Sequence, residues 1–168
     1  NFSAGPSTLP LEVLKKAHET FLEYGDSGMS VMEMSHRTPD FDAIMDHTKE
    51  LIRQILSVPD NYKILFLQGG GTSQFSMIPL NLMKNKKADF IDTGKWTDLA
   101  IREAKKYVDV KIIASSKEDG YTYIPQWDAK EFRSDADYVY ICDNNTVYGT
   151  KYTTYPDTGS VPLVADMS

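Results

Sequence analysis

The sequence predicts an α/β fold built on a mainly parallel central sheet, and three observations carry that expectation. From Lys63 onward, short apolar runs alternate with stretches of helical spacing: KILFL, TSQFSMIPLNLM, ADFID, KWTDLAIREAKKY and VKIIAS. The strand-like runs are apolar on both faces, the pattern of strands covered by helices rather than half exposed to water. Two further runs of the same kind follow, YVYIC at 138–142 and VPLVA at 161–165.

Taken in order, the chain begins with a helical segment over 1–60 and continues with the alternating region over 61–168. LEVLKKAHETFLEY places apolar residues at 11, 14, 17, 21 and 22, so a first helix is expected over 10–24 with Gly25 as its stop. Asp40 is the expected cap of a second helix, FDAIMDHTKELIRQIL, whose stripe at 41, 44, 45, 51, 52 and 55 ends before Pro59. The intervening SGMSVMEMSHRTP has no clear period. Residues 117–137, with Gly120, Pro125 and several acids, read as a loop-rich excursion. VPLVADMS ends where a connection to a further element is expected, so the fold reads as incomplete within this chain.

Composition narrows the classes of function. The 168 residues form one ordinary domain or most of a larger one, and a chain of this size buries roughly two-thirds of its unfolded surface. No run approaches the roughly 18 apolar residues that a membrane-spanning helix needs. A net charge of -6 and a pI near 5.0 argue against nucleic acid, which is bound by clustered cations. The short basic run Lys84, Lys86 and Lys87 reads as a solvated helix end. Cys142 is the single cysteine, so neither an intrachain disulfide nor a cysteine-rich metal site is available, and a reducing, cytoplasmic setting fits. HExxH spacing is absent and no metal site is expected.

In open parallel sheets ligands lie beyond the carboxyl ends of the strands, which singles out the residues that follow each run. Gly69-Gly70-Gly71-Thr72 follows KILFL, Thr93-Gly94-Lys95-Trp96 follows ADFID, Asp143-Asn144-Asn145-Thr146 follows YVYIC, and Asp166 follows VPLVA. Glycines let backbone N–H groups approach an anion, and a helix beginning at Thr72 would aim its positive end there. A tight turn explains the same triplet, and neither the GxxxxGK[ST] nor the GxGxxG spacing is present. Trp96 is either a packing residue or a platform for a planar ring. Asp166, behind five largely apolar residues, requires a cationic partner, whether an arginine or a protonated heterocycle nitrogen. Thr146 offers a turn hydroxyl or a ligand bond. His36-Arg37 offers donors to a carboxylate or phosphate, or a surface salt bridge. His18 and His47 read as helix-surface residues. Together, a phosphate cradle, a stacking aromatic, a carboxylate and a hydroxyl fit pyridoxal phosphate, whose ring is a stronger electron sink when its nitrogen is protonated.

Several segments in one order, NFSAGPSTLP, SVMEMSHRT, VPDNYKILFLQGGGTSQFSMIPLNL, GKW and ADMS, closely resemble the phosphoserine aminotransferase family of fold-type I pyridoxal-phosphate enzymes. The resemblance runs over essentially the whole chain. It implies the large domain of that fold, incomplete here, and a cytoplasmic homodimer with active sites at the subunit interface. It further implies transfer of the amino group of L-glutamate to 3-phosphohydroxypyruvate, giving O-phospho-L-serine and 2-oxoglutarate. By the same resemblance Gly70, Gly71 and Thr72 hold the cofactor phosphate, Trp96 stacks on the pyridine ring, Thr146 bonds the cofactor, and Asp166 pairs with the ring nitrogen. Trp96 and Asp166 are then the catalytic residues present, and His36 and Arg37 bind the anionic substrate. Thr72 stands where many bacterial members carry arginine, and Asn145 where glutamate is usual. The Schiff-base lysine of the family lies beyond the Asp-Met-Ser segment, so the 168 residues alone are expected to be inactive.

Overall fold

The computed structural model describes residues 7–168, so the NFSAGP part of the resemblance lies outside the described residues. The chain divides into two compact units, Asn1–Phe66 and Leu67–Ser168.

In the first unit α1 covers Leu11–Glu19, shorter than the expected 10–24. Beyond Glu19 the Thr20 hydroxyl turns back onto the Lys16 carbonyl at 3.1 Å, a local bond that competes with helix continuation, while Gly25, with φ +57°, lies in a later turn. A short 3₁₀ turn at Val31–Glu33 begins with a capping box: the Met32 amide donates to Ser30 Oγ and the Ser30 amide to Glu33 Oε2. The second helix, α2, spans Pro39–Ile55. Its cap is Thr38 rather than the expected Asp40, since Pro39 occupies the first helical position and the Thr38 hydroxyl accepts from the Phe41 amide. At the far end the Arg53 guanidinium donates to the carbonyls of Val58, Pro59 and Tyr62, tying down the turn after the helix.

The second unit contains α3 (Gly70–Leu82), β1 (Lys87–Asp92), α4 (Lys95–Ala104), β2 (Asp109–Ser115), β3 (Tyr138–Cys142), the two-residue strands β4 (Asn144–Asn145) and β5 (Thr150–Lys151), and β6 (Leu163–Asp166). Four strands form a sheet in the order β2-β1-β3-β6, and every pairing is parallel. Of the expected strands only KILFL is missing. Residues 63–67 join no ladder among the described residues, and Leu65 and Leu67 are 70% and 62% exposed. An apolar run becomes a strand only when a neighbouring strand takes its backbone donors and acceptors. The Lys84–Lys87 run is not a helix end either. It turns through Lys86, at φ +56°, into β1, where Lys87 pairs with Asp135.

Alternate residues of the central strands feed two cores. Phe90, Tyr138 and Tyr140 point to the α3/α4 side with Phe75, Ala100, Ile101 and Ala104. Ile91 and Ile141 point to the opposite face, where Tyr152 covers them. Ser76 Oγ donates to Glu103 Oε1 at 2.9 Å and links the two helices of the first layer. Residues 117–137 are irregular apart from two 3₁₀ turns, as expected, yet they are tied down. Arg133 donates through Nε to the fully buried Asp89 and through Nη1 to Asp109, and Asp137 accepts the Asn85 and Lys87 amides. Those backbone donors hold the Asp137 carboxyl below its ordinary pKa despite burial, which acts in the opposite direction.

Candidate active site

The strand order decides where a ligand belongs. The chain leaves β1 through α4 to β2 on one side, then crosses to β3 on the other side of β1, so the carboxyl ends of β1 and β3 flank a topological switch point. The two segments that meet there are Thr93-Gly94-Lys95-Trp96 and Asp143–Thr146.

Trp96 lies in the first turn of α4, and its indole N–H points at Thr146 Oγ1, 3.4 Å away. Lys95 Nζ lies 5.2 Å from the centroid of the same indole. Beneath this pair the loops interlock: the Asn145 amide donates to the Thr93 carbonyl at 2.9 Å, and the Thr93 amide donates to Thr97 Oγ1 at 3.2 Å. Gly94 has φ +154°, and a Cβ on it would overlap the Asn145 side chain, 2.7 Å from its Cγ. Thr146 is exposed on a tight β4–β5 hairpin closed by the Gly149 amide on the Asn145 carbonyl. No local pattern marks that hairpin, because each strand has only two residues.

Asp166 is the last residue of β6, paired with Cys142, rather than the first residue beyond the strand. Its Oδ1 accepts from the Ser168 amide at 3.1 Å and from the Ser168 hydroxyl, and its Oδ2 faces the Tyr140 hydroxyl at 3.5 Å. These donors are neutral, so a cationic ring nitrogen would supply countercharge that they do not. The negative charge is felt nearby. Burial first, then Asp166, pushes the Cys142 thiol up to about 12 and raises the Tyr140 hydroxyl as well.

The glycine run starts α3 two residues before the expected Thr72, at Gly70, with Gly69 as its cap. Gly69 has φ +93°, and a Cβ there would come 2.6 Å from Ser73 Cβ, so the close return of the helix onto this turn requires glycine. The leading amides of α3, at Gly70, Gly71 and Thr72, lack carbonyl partners within their own helix and are exposed. A Cβ on Gly71 would lie 3.5 Å from Ser168 Oγ, which brings the helix start beside the Asp166–Ser168 corner. Anion donors, a carboxylate, a flat aromatic and a hydroxyl thus share one edge of the sheet, a set that fits a planar phosphorylated cofactor. His36 and Arg37 lie in the first unit, exposed in the turn before α2, where the Arg37 amide donates to Ser35 Oγ.

The class-V aminotransferase model matches residues 1–161. The chain belongs to that family. Among curated class-V relatives, a Bacillus cereus protein named phosphoserine aminotransferase is 52% identical over all of this chain and 47% of its own length. A Listeria monocytogenes protein of that name is 49% identical over all of this chain and 46% of its own. The solved phosphoserine aminotransferase of Bacillus circulans subsp. alkalophilus superposes on the whole chain with a TM-score of 0.92 at 41% identity, the match taking 47% of that structure. A Trichomonas vaginalis phosphoserine aminotransferase, described as bound to pyridoxal phosphate, gives 0.90 at 38% identity, with 50% of it covered. The chain therefore spans about half the length of the relatives it matches.

Sequence reasoning missed the residues that hold this candidate site together. Ser168, Tyr140, Thr93, Thr97 and Asn145 all act through a neighbour. Ser168, two residues after a carboxylate, carried the signal of a local side-chain turn. The i, i+4 threonine pair was a second such signal, whereas the reach of Asn145 to Thr93 across 52 residues left none.

Proposed function

We propose that the protein to which this chain belongs is a pyridoxal-phosphate-dependent phosphoserine aminotransferase, moving the amino group of L-glutamate to 3-phosphohydroxypyruvate. The observation that carries the reading is the strand-end arrangement, in which Asp166, Trp96, Thr146 and the α3 amides line one edge of the sheet. The similarity to phosphoserine aminotransferases over all 168 residues supports it.

Bound pyridoxal phosphate supplies the carbonyl that captures an amine and the ring that accepts its electrons. The chain's residues do the rest. The amides of Gly70, Gly71 and Thr72, with the α3 N-terminus behind them, hold the phosphate. Trp96 provides the flat face against the ring, and Thr146 fixes its polar edge. Asp166, oriented by Ser168, keeps the ring nitrogen protonated. With no cationic side chain at Thr72, His36 and Arg37 are the donors assigned to the anionic substrate. The lysine that anchors the cofactor lies after Asp166 in the complete protein, and the enzyme works as a cytoplasmic homodimer.

Full-length protein is expected to be yellow with bound cofactor and to form O-phosphoserine from glutamate and 3-phosphohydroxypyruvate. Absence of both overturns the reading. Equal use of unphosphorylated keto acids would retain the aminotransferase and reject the phosphorylated substrate.

A further inference from the structure

Asn145 stands where the two loops of the switch point meet. Its backbone belongs to β4, one residue before Thr146, and is pinned by the Gly149 amide at 2.7 Å. Its side chain, on a residue only 2% exposed, runs the other way to the Thr93 carbonyl. Thr93 and Thr97 are fully buried and bonded to each other, so Thr93 moves with the first turn of α4, which carries Trp96. Gly94 completes the fit, because a side chain there would collide with the Asn145 amide and come 3.0 Å from the Tyr148 ring.

The bond that these contacts frame is weak on its own. Trp96 and Thr146 meet at 3.4 Å, and Thr146 is exposed to competing water. Only the buried bond beneath them lies where a donor and acceptor hold each other firmly. Asn145 Oδ1, moreover, is buried without a partner among the described residues. An amide kept half satisfied costs stability that an apolar residue of the same volume would not, so stability alone does not account for asparagine here.

We propose that Asn145 is a positioning residue: through its bond to Thr93 and its fit against Gly94 it sets the spacing of Trp96 and Thr146 that receives a flat, phosphorylated heteroaromatic ligand. The identity of that ligand as pyridoxal phosphate rests on the function proposed above.

The test uses full-length protein in which Trp96 is the only tryptophan, with Asn145→Ala and Asn145→Asp. Aspartate keeps the volume but places an oxygen against the Thr93 carbonyl. Without cofactor, both variants should show red-shifted, more easily quenched Trp96 emission. In absorbance titrations their Kd for pyridoxal phosphate should rise about tenfold, and further for aspartate, as expected when a buried acceptor loses its donor. Gly94→Ala should cost less affinity in the Asn145→Ala background than in the parent. Unchanged Trp96 emission and Kd, with only the melting temperature lowered, overturns the proposal. If Asn145→Asp does not fold, Asn145→Ala decides. If the parent binds no pyridoxal phosphate, the functional reading fails, yet cofactor-free emission still decides whether Asn145 sets the spacing.

Discussion

The helices of residues 7–66 and the sheet of residues 67–168 are built on opposite terms. Neither α1 nor α2 contains a buried residue, and Leu22 and Ile55 are 83% and 77% exposed. All five residues of β3, by contrast, are buried, and Phe90 and Tyr138 are essentially inaccessible. Amphipathic spacing therefore shapes a helix without giving it a core, while paired strands supply one. Trp96 and Asp166, proposed above to hold the ring, stand on the part whose positions are fixed by packing. His36 and Arg37, proposed to bind substrate, stand in an exposed turn.

The largest effect that would sharpen this contrast falls on activity. Asp166→Ala in full-length protein should lower kcat by about a hundredfold or more, the scale of losing a preorganised electrostatic partner in the site. Near-parental turnover would remove the carboxylate from its assigned role. Next is the core. Phe90→Ala should cost about 3–5 kcal/mol in urea unfolding, since the ring is stacked on Tyr140 and surrounded on all sides. Arg133→Met should cost about 3 kcal/mol by leaving the fully buried Asp89 carboxylate without its cation.

A smaller effect concerns pH. The Cys142 thiol is raised by burial and by Asp166, so the unfolded chain gives up that proton first as pH rises. Stability from this group is complete below pH 9 and declines between about 9 and 12, and in native protein at pH 8 the thiol should resist a disulfide reagent until denaturant is added. Smallest of all, Ile55→Ala in the 168-residue chain should stay within about 0.5 kcal/mol. A loss above about 2 kcal/mol in full-length protein would show that something beyond this chain covers that face.

The legible part of the fold was the part governed by local pattern. ADFID, VKIIAS, YVYIC and VPLVA were legible as strand candidates, and KWTDLAIREA as α4, because an apolar run between turn residues is a local property, and the four runs became strands by pairing with one another. KILFL failed because pairing is not local, and the α1 stop was misplaced because a threonine hydroxyl reached its own helix before Gly25 was reached. In the candidate site, the strand-end rule pointed to Trp96, Thr146 and Asp166, and it reached Gly70 and Gly71 through a run that forms no ladder. The contacts that aim them, from Tyr140, Ser168, Thr97 and Asn145, depend on which strands become neighbours.

The reach of Asn145 to Thr93 and of Trp96 to Thr146 also sets a timetable. Each joins residues 50 or more positions apart and exists only once β3 has docked beside β1. During synthesis the first half of the candidate site is exposed for the time needed to add those residues, roughly 3–10 s at ordinary elongation rates. Completion of the candidate site is therefore a late event that needs a finished sheet, and the growing chain depends until then on whatever shields its apolar strands from neighbours.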